Sequence, residues 1–440
     1  MRLLDTKTRY FDQDTFQIPQ LENTWGCMVD LLDTALVYGS VTQNVLGITS
    51  KVDPDYPDLY WKINIKVNLN HGFKPHTSVV QIVNSSIEAY NGVFRVQTVF
   101  SDSVEVCILK TEFPDKPENL IFVDGVLINI PGLGYEKVLE GPQKAVYKTT
   151  TTEDRVCFLR VDNSCPEGHN KAHAKFSRVS MFTNIEDLDD YFRKPSREKA
   201  PTYAEDYNRV EEYIYDVWLN TRFAYDDYVD IKSTAALPVN EFCIVGDSQT
   251  FYLYINALTQ YSSDNGDCTY LFGKYNKTMF KEDPAPFLLR TSERQNYTSN
   301  YFQQIGDRDN FIGNRTKGKH LFSNVMADTF QSGVSGRWSQ WYADSFISGQ
   351  STGVNYKYYR NEMTINLLPM MVLTHRAEAT VVEGILRGTY FIMTNLMDSS
   401  KTTPNNMEII SQEHEHYLKI PAREDAWDYA CYAVTLRDWE

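Results

Sequence analysis

From Trp61 to Leu69 the chain alternates strictly: Trp61, Ile63, Ile65, Val67 and Leu69 are apolar, and Lys62, Asn64, Lys66 and Asn68 between them are polar. A period of two is the mark of a strand with one buried and one wet face. Upstream the rhythm differs. Trp25, Met28, Leu32, Ala35 and Leu36 return at intervals of three and four, with Asn23 or Thr24 placed to cap and Gly39 at the exit. That spacing predicts an amphipathic helix from Thr24 to Tyr38. After the turn His71-Gly72-Phe73, short apolar runs at Val79–Val83, Val93–Phe100 and Val104–Leu109 are parted by Asn91-Gly92 and Ser101-Asp102. Closely spaced short strands of this kind predict a small β-barrel or sandwich.

Pro131-Gly132-Leu133-Gly134 reads as a turn into a second unit, with strands at Ala145–Lys148 and Arg155–Val161. Tyr207, Val210, Ile214 and Val217 share one helical face, so a second helix is expected from Tyr203 to about Leu219. Glu241–Val245 and Thr250–Ile255 read as a hairpin joined through Gly246-Asp247-Ser248. From Ser292 to Tyr356 no period is visible, and this stretch is expected to be a loop-rich interaction arm. Strands return at Tyr390–Thr394 and Tyr429–Leu436. The expected fold is mainly β, made of small barrel or sandwich modules with a few supporting helices. Its expected units are a helix and small β domain at 1–130, a central β-rich domain with one helix at 131–290, the arm at 291–360, and a β-rich segment at 361–440.

Charge narrows the function. Acidic residues outnumber basic ones by 58 to 43, a net charge of −15, which argues against nucleic acid as the main partner. The basic stretch Arg193 to Lys199 is broken by Pro195 and Glu198 and reads as a solvated linker. Tyr (29) and Phe (23) are abundant, which suits half-buried sheets and contact surfaces. The seven cysteines follow no framework spacing, as in a protein made and kept reduced in the cytoplasm. Met1 to Asp5 lacks the apolar run of a signal peptide, and no stretch reaches the length of a membrane span, so no membrane insertion is expected.

Several groups could carry chemistry. Cys165, His169 and His173 have a C-x3-H-x3-H spacing that would gather three zinc ligands on a coil, with Cys157 as a possible fourth. Pro166 and Gly168 oppose that coil, and a polar hairpin loop is the competing reading. His414 and His416, between Glu413 and Glu415, could titrate as a pH sensor or simply line a solvated strand edge. Glu186, Asp187, Asp189 and Asp190 could hold calcium, but the loop pattern with its central glycine is missing and a charged turn fits better. Trp338, Trp341 and Tyr342 offer aromatic faces for sugar stacking or for a protein interface. No G-x-S-x-G elbow occurs and no carboxylate pair stands out. The expectation is a protein without cofactor that binds rather than catalyses.

Gly134-Tyr135-Glu136-Lys137-Val138, Ala145-Val146-Tyr147-Lys148 and Arg155-Val156-Cys157-Phe158-Leu159-Arg160-Val161-Asp162 together resemble a segment of virion structural proteins of tailed phages and prophages. Phe242 to Tyr254, with Leu271-Phe272-Gly273-Lys274-Tyr275 after it, is similar to a second segment of that group, and Gly384 to Tyr390 to a third. His71-Gly72-Phe73 with Tyr90-Asn91-Gly92-Val93 resembles a small β module of phage proteins. The resemblance implies a tail, tail-appendage or neck component that sits in the virion and contacts other virion proteins. It also implies a homo-oligomer with rotational symmetry. A receptor-binding or polysaccharide-degrading tail protein is the alternative.

Overall fold

The alternating run forms the strand Tyr60–Lys66, the centre of a four-stranded antiparallel sheet. Its order is Gly47–Val52, Tyr60–Lys66, Ser103–Leu109 and Thr98–Val99. Trp61, Ile63 and Ile65 turn inward beside Ile48, Val104, Val106 and Ile108, while Lys62, Asn64 and Lys66 face outward. Opposite lies a second four-stranded sheet, Gln43–Asn44, Leu127–Asn129, Val79–Val83 and Gly92–Arg95. Val80, Ile82 and Ile128 join the same core, so these two sheets make a sandwich.

This computed structural model describes residues 6–121, 123–150, 156–165, 171–172, 174, 176–182, 185–188, 213–219, 221–222, 237–238, 241–256, 267–276, 286–290, 319–323, 367–376, 379–392, 409–412, 415–424 and 429–439. The chain is mainly β: among the described residues strands far outweigh helix, and the sheets are small and antiparallel, without a closed barrel.

The expected first helix is present in a shorter form. Cys27–Leu32 is α-helical and runs directly into a π-helical segment, Asp33–Tyr38. Its buried face carries Met28, Leu31, Leu32, Ala35 and Leu36. The next segment is laid along this helix: Leu133 N–H donates to the Ala35 carbonyl, and the amides of Gly134 and Tyr135 to that of Leu36. Close approach is possible because Gly39 (φ +83°) has no Cβ, which would stand 2.2 Å from the Ile130 carbonyl.

Two five-stranded sheets follow. One is a meander, Glu136–Gly141, Lys144–Lys148, Phe158–Asp162, Phe176–Phe182 and Tyr213–Leu219. The other begins with Arg9–Asp12 at its edge and continues through Phe242–Gly246, Phe251–Asn256, Asp267–Lys274 and Pro286–Arg290. They meet through Trp218, which is fully buried, stacks on Tyr270 at 5.1 Å and meets Phe251 edge-on. One continuous core runs from Phe11 to Leu288. A six-stranded C-terminal sheet has the order Lys319–Ser323, Leu367–Arg376, Ala379–Ile392, Tyr429–Thr435, Glu415–Glu424, Ile409–Gln412.

Two expectations are corrected here. The second helix is replaced over its final residues by the strand Tyr213–Leu219, paired with Phe176–Phe182 from Tyr213↔Phe182 to Leu219↔Phe176. Tyr213, Ile214, Tyr215, Val217 and Trp218 are residues of high strand preference, and burial of Trp218 outweighs the helical spacing of Ile214 and Val217. Residues 203–212 lie outside the described residues. Within the expected loop-rich arm, Lys319–Ser323 is a strand paired with Leu367–Arg376. Its short apolar centre, Leu321-Phe322, was hidden by polar surroundings. The rest of that arm lies outside the described residues.

Candidate functional site

The hairpin between Phe242–Gly246 and Phe251–Asn256 turns on Asp247, whose Oδ1 accepts the amides of Gln249 (2.9 Å) and Thr250 (3.0 Å). An aspartate bonding the backbone two and three residues on is the usual device of a tight turn. Here the carboxylate also faces inward. Arg387, from strand Ala379–Ile392, reaches Asp247 Oδ2 at 3.1 Å with both side chains 8% exposed. The same guanidinium donates to Gln249 Oε1 (3.0 Å) and to the Trp439 carbonyl (2.9 Å).

Around this pair the polypeptide ends are drawn in. The Arg387 carbonyl accepts the Tyr252 hydroxyl (2.7 Å) and the Thr389 hydroxyl (3.1 Å). Trp439 packs on Tyr252 at 5.2 Å and donates its indole N–H to Thr435. It crosses over Gly388, which sits at φ +61° where any Cβ would strike the indole ring. Asp438 Oδ1 accepts the amides of Lys7 and Thr8, and the Thr8 hydroxyl donates to the Arg437 carbonyl. Arg9 donates to the Gly132 carbonyl. Gly134 lies against Ser248, and Tyr135 packs edge-on against Phe251 at 5.8 Å.

The electrostatics follow from burial. Loss of water raises the Asp247 carboxyl above its ordinary value, although Arg387 and the turn amides pull it down. Burial lowers the Arg9 guanidinium, against the upward pull of Asp438 and Asp247. Both Asp247 oxygens are engaged inside the fold, so the cluster acts as a clamp and offers no general base. Its members were only partly visible in sequence. Asp247 reads as a turn residue and Arg387 falls in the Gly384 to Tyr390 segment, while Asp438 and Trp439 belong to no motif. The one signal was an arginine set in the apolar run of Gly384 to Tyr390.

The other candidates fall as follows. Cys165 is partly buried, and burial pushes its thiol up against the pull of Lys171 and Arg178. His169 and His173 lie outside the described residues. Cys157 is fully buried, its amide and carbonyl bonded to Thr149 and its thiol pushed up to about 11 by burial. Among the described residues no three or more His, Cys, Asp or Glu gather as metal ligands. Glu186 and Asp187 are described, whereas Asp189 and Asp190 are not.

Trp338, Trp341, Tyr342 and His414 also lie outside the described residues. The solvated-edge reading of His416 is corrected. Its strand lies between Ile409–Gln412 and Tyr429–Thr435, and its ring stacks on His76 at 3.9 Å. No helix among the described residues is long and apolar enough to cross a membrane.

The junction unites Gly134-Tyr135, Asp247 to Tyr252 and Arg387-Gly388, three stretches that stand far apart in the sequence. No protein-family model matches the chain, and no curated protein matches it.

Proposed function

We propose that this chain is a structural component of a tailed-phage virion, placed in the tail, a tail appendage or the neck, and that it works by protein–protein contact. The observation that carries this reading is the convergence just described. Three separate stretches with a common resemblance form one buried junction, as parts of a shared scaffold would. The chemistry of that junction supports a scaffold: its charges hold separate strands together. Virion stations of this kind follow the particle's rotational symmetry, so a closed homo-oligomer belongs to the proposal.

The test is to purify particles from cells carrying the gene, identify their proteins by mass spectrometry, and locate the labelled chain by electron microscopy. Stoichiometric presence at a ring or collar is expected. Absence from intact particles overturns the reading. Incubating the purified chain with host capsule polysaccharide separates out the degrading tail protein, which alone would shorten the polymer.

A further inference from the structure

His76 sits at the foot of the N-terminal sandwich with a left-handed backbone, φ +64°, a conformation histidine tolerates better than most side chains. Its amide donates to the Val96 carbonyl and its own carbonyl accepts Arg95 Nη1 at 2.9 Å, so its backbone is held in place. His416 is fixed from the other side. It lies within the strand Glu415–Glu424 of the C-terminal sheet, and its carbonyl accepts the Leu436 amide at 3.0 Å. The two imidazoles lie 3.9 Å apart and 12° from parallel. His76 Nδ1 is buried without a hydrogen-bond partner.

We propose that the His76–His416 stack is a pH-sensitive latch that docks the C-terminal sheet on the N-terminal sandwich and releases it on mild acidification. Neutral imidazoles stack well, whereas two imidazolium rings at this separation repel. Positive charge already acts on His76, from Arg95. Arg95 bonds the His76 backbone and reaches the Thr8 carbonyl at 2.8 Å. The neighbouring acid, Asp438, is turned to the amides of Lys7 and Thr8.

Burial, and then Arg95, lower the His76 pKa from its ordinary 6.5. A group lowered in this way stabilises the docked state above its free value, and that contribution is lost as the pH falls through the docked value. Asp247 at the other end of the same junction has the opposite sign. Its raised carboxyl favours the docked state as the pH falls. The latch stands independently of the proposed virion role.

The test is amide hydrogen exchange on the full chain between about pH 7.5 and about pH 5.5, corrected for intrinsic rate. Protection of Glu415–Glu424 and of the residues around Trp439 is expected to fall by about tenfold or more, while Tyr60–Lys66 stays protected. His416→Phe keeps an aromatic face and should flatten that response. An unchanged profile in the wild type, or an unaltered response in His416→Phe, overturns the latch. Should that variant fail to fold, C2-proton exchange of His76 in the wild type decides: a pKa below 6.5 supports the proposal, and one at or above it overturns it.

Discussion

Arg387 shows how much one side chain can hold. Replacing it with alanine leaves Asp247 charged, buried and deprived of its partner, a situation that costs about 3–5 kcal/mol. The Arg387→Ala variant should therefore melt well below the wild type in thermal denaturation. Asp247→Asn combined with Arg387→Met should recover part of the loss, because removing both charges removes the desolvation cost. Thiol chemistry checks the burial pattern at the same scale. Cys27, Cys107, Cys157 and Cys243 are buried, and burial pushes their thiols up, to about 12, about 12 and about 11 for the first three. Site-resolved alkylation of the native chain should modify Cys165 first among these five, with the others reacting only as the protein unfolds.

Among the elements, Trp218 is the most informative. It stands on the last strand of the meander and is the ring that ties that sheet to Phe251 and Tyr270 of the next. Trp218→Ala should cost about 3–5 kcal/mol, read as a lower denaturant midpoint at unchanged slope. This strand also marks the limit of what the sequence made legible. The strand Tyr60–Lys66, the short helix and the hairpin at Asp247 were all readable, since each declares itself through a local period or turn residue. Tyr213–Leu219 was not, because Ile214 and Val217 fit a helical face, and the pairing that decides otherwise comes from Phe176–Phe182, far upstream. The clamp escaped for the same reason. Its ion pair joins residues 140 positions apart, and a charge pair at that separation leaves no mark on local pattern.

For the whole molecule, the two ends of the chain are fastened to one another. Asp438 receives the amides of Lys7 and Thr8, contacts that span 431 and 430 residues. Asp438→Ala should release both ends together. Exchange at the amides of Lys7 and Thr8 should accelerate along with that around Trp439, whereas the sandwich core of Ile63, Ile65 and Val106 keeps its protection. Acceleration confined to the C-terminal side would show that the ends are held separately.

Biosynthesis gives the edge strand Arg9–Asp12 an unusual history. It leaves the ribosome well before its partner Phe242–Gly246, since Gln13, which accepts the Phe242 amide, stands 229 residues earlier. At roughly 5–20 residues per second, that strand waits on the order of ten seconds or more with its hydrogen-bonding edge uncovered. The sandwich of residues 43–129 has everything it needs to form during that interval. An early-made strand is thus among the later ones to find its place. Such a long-range pairing is slow to form, and until it does the exposed edge is the point most open to capture by another chain.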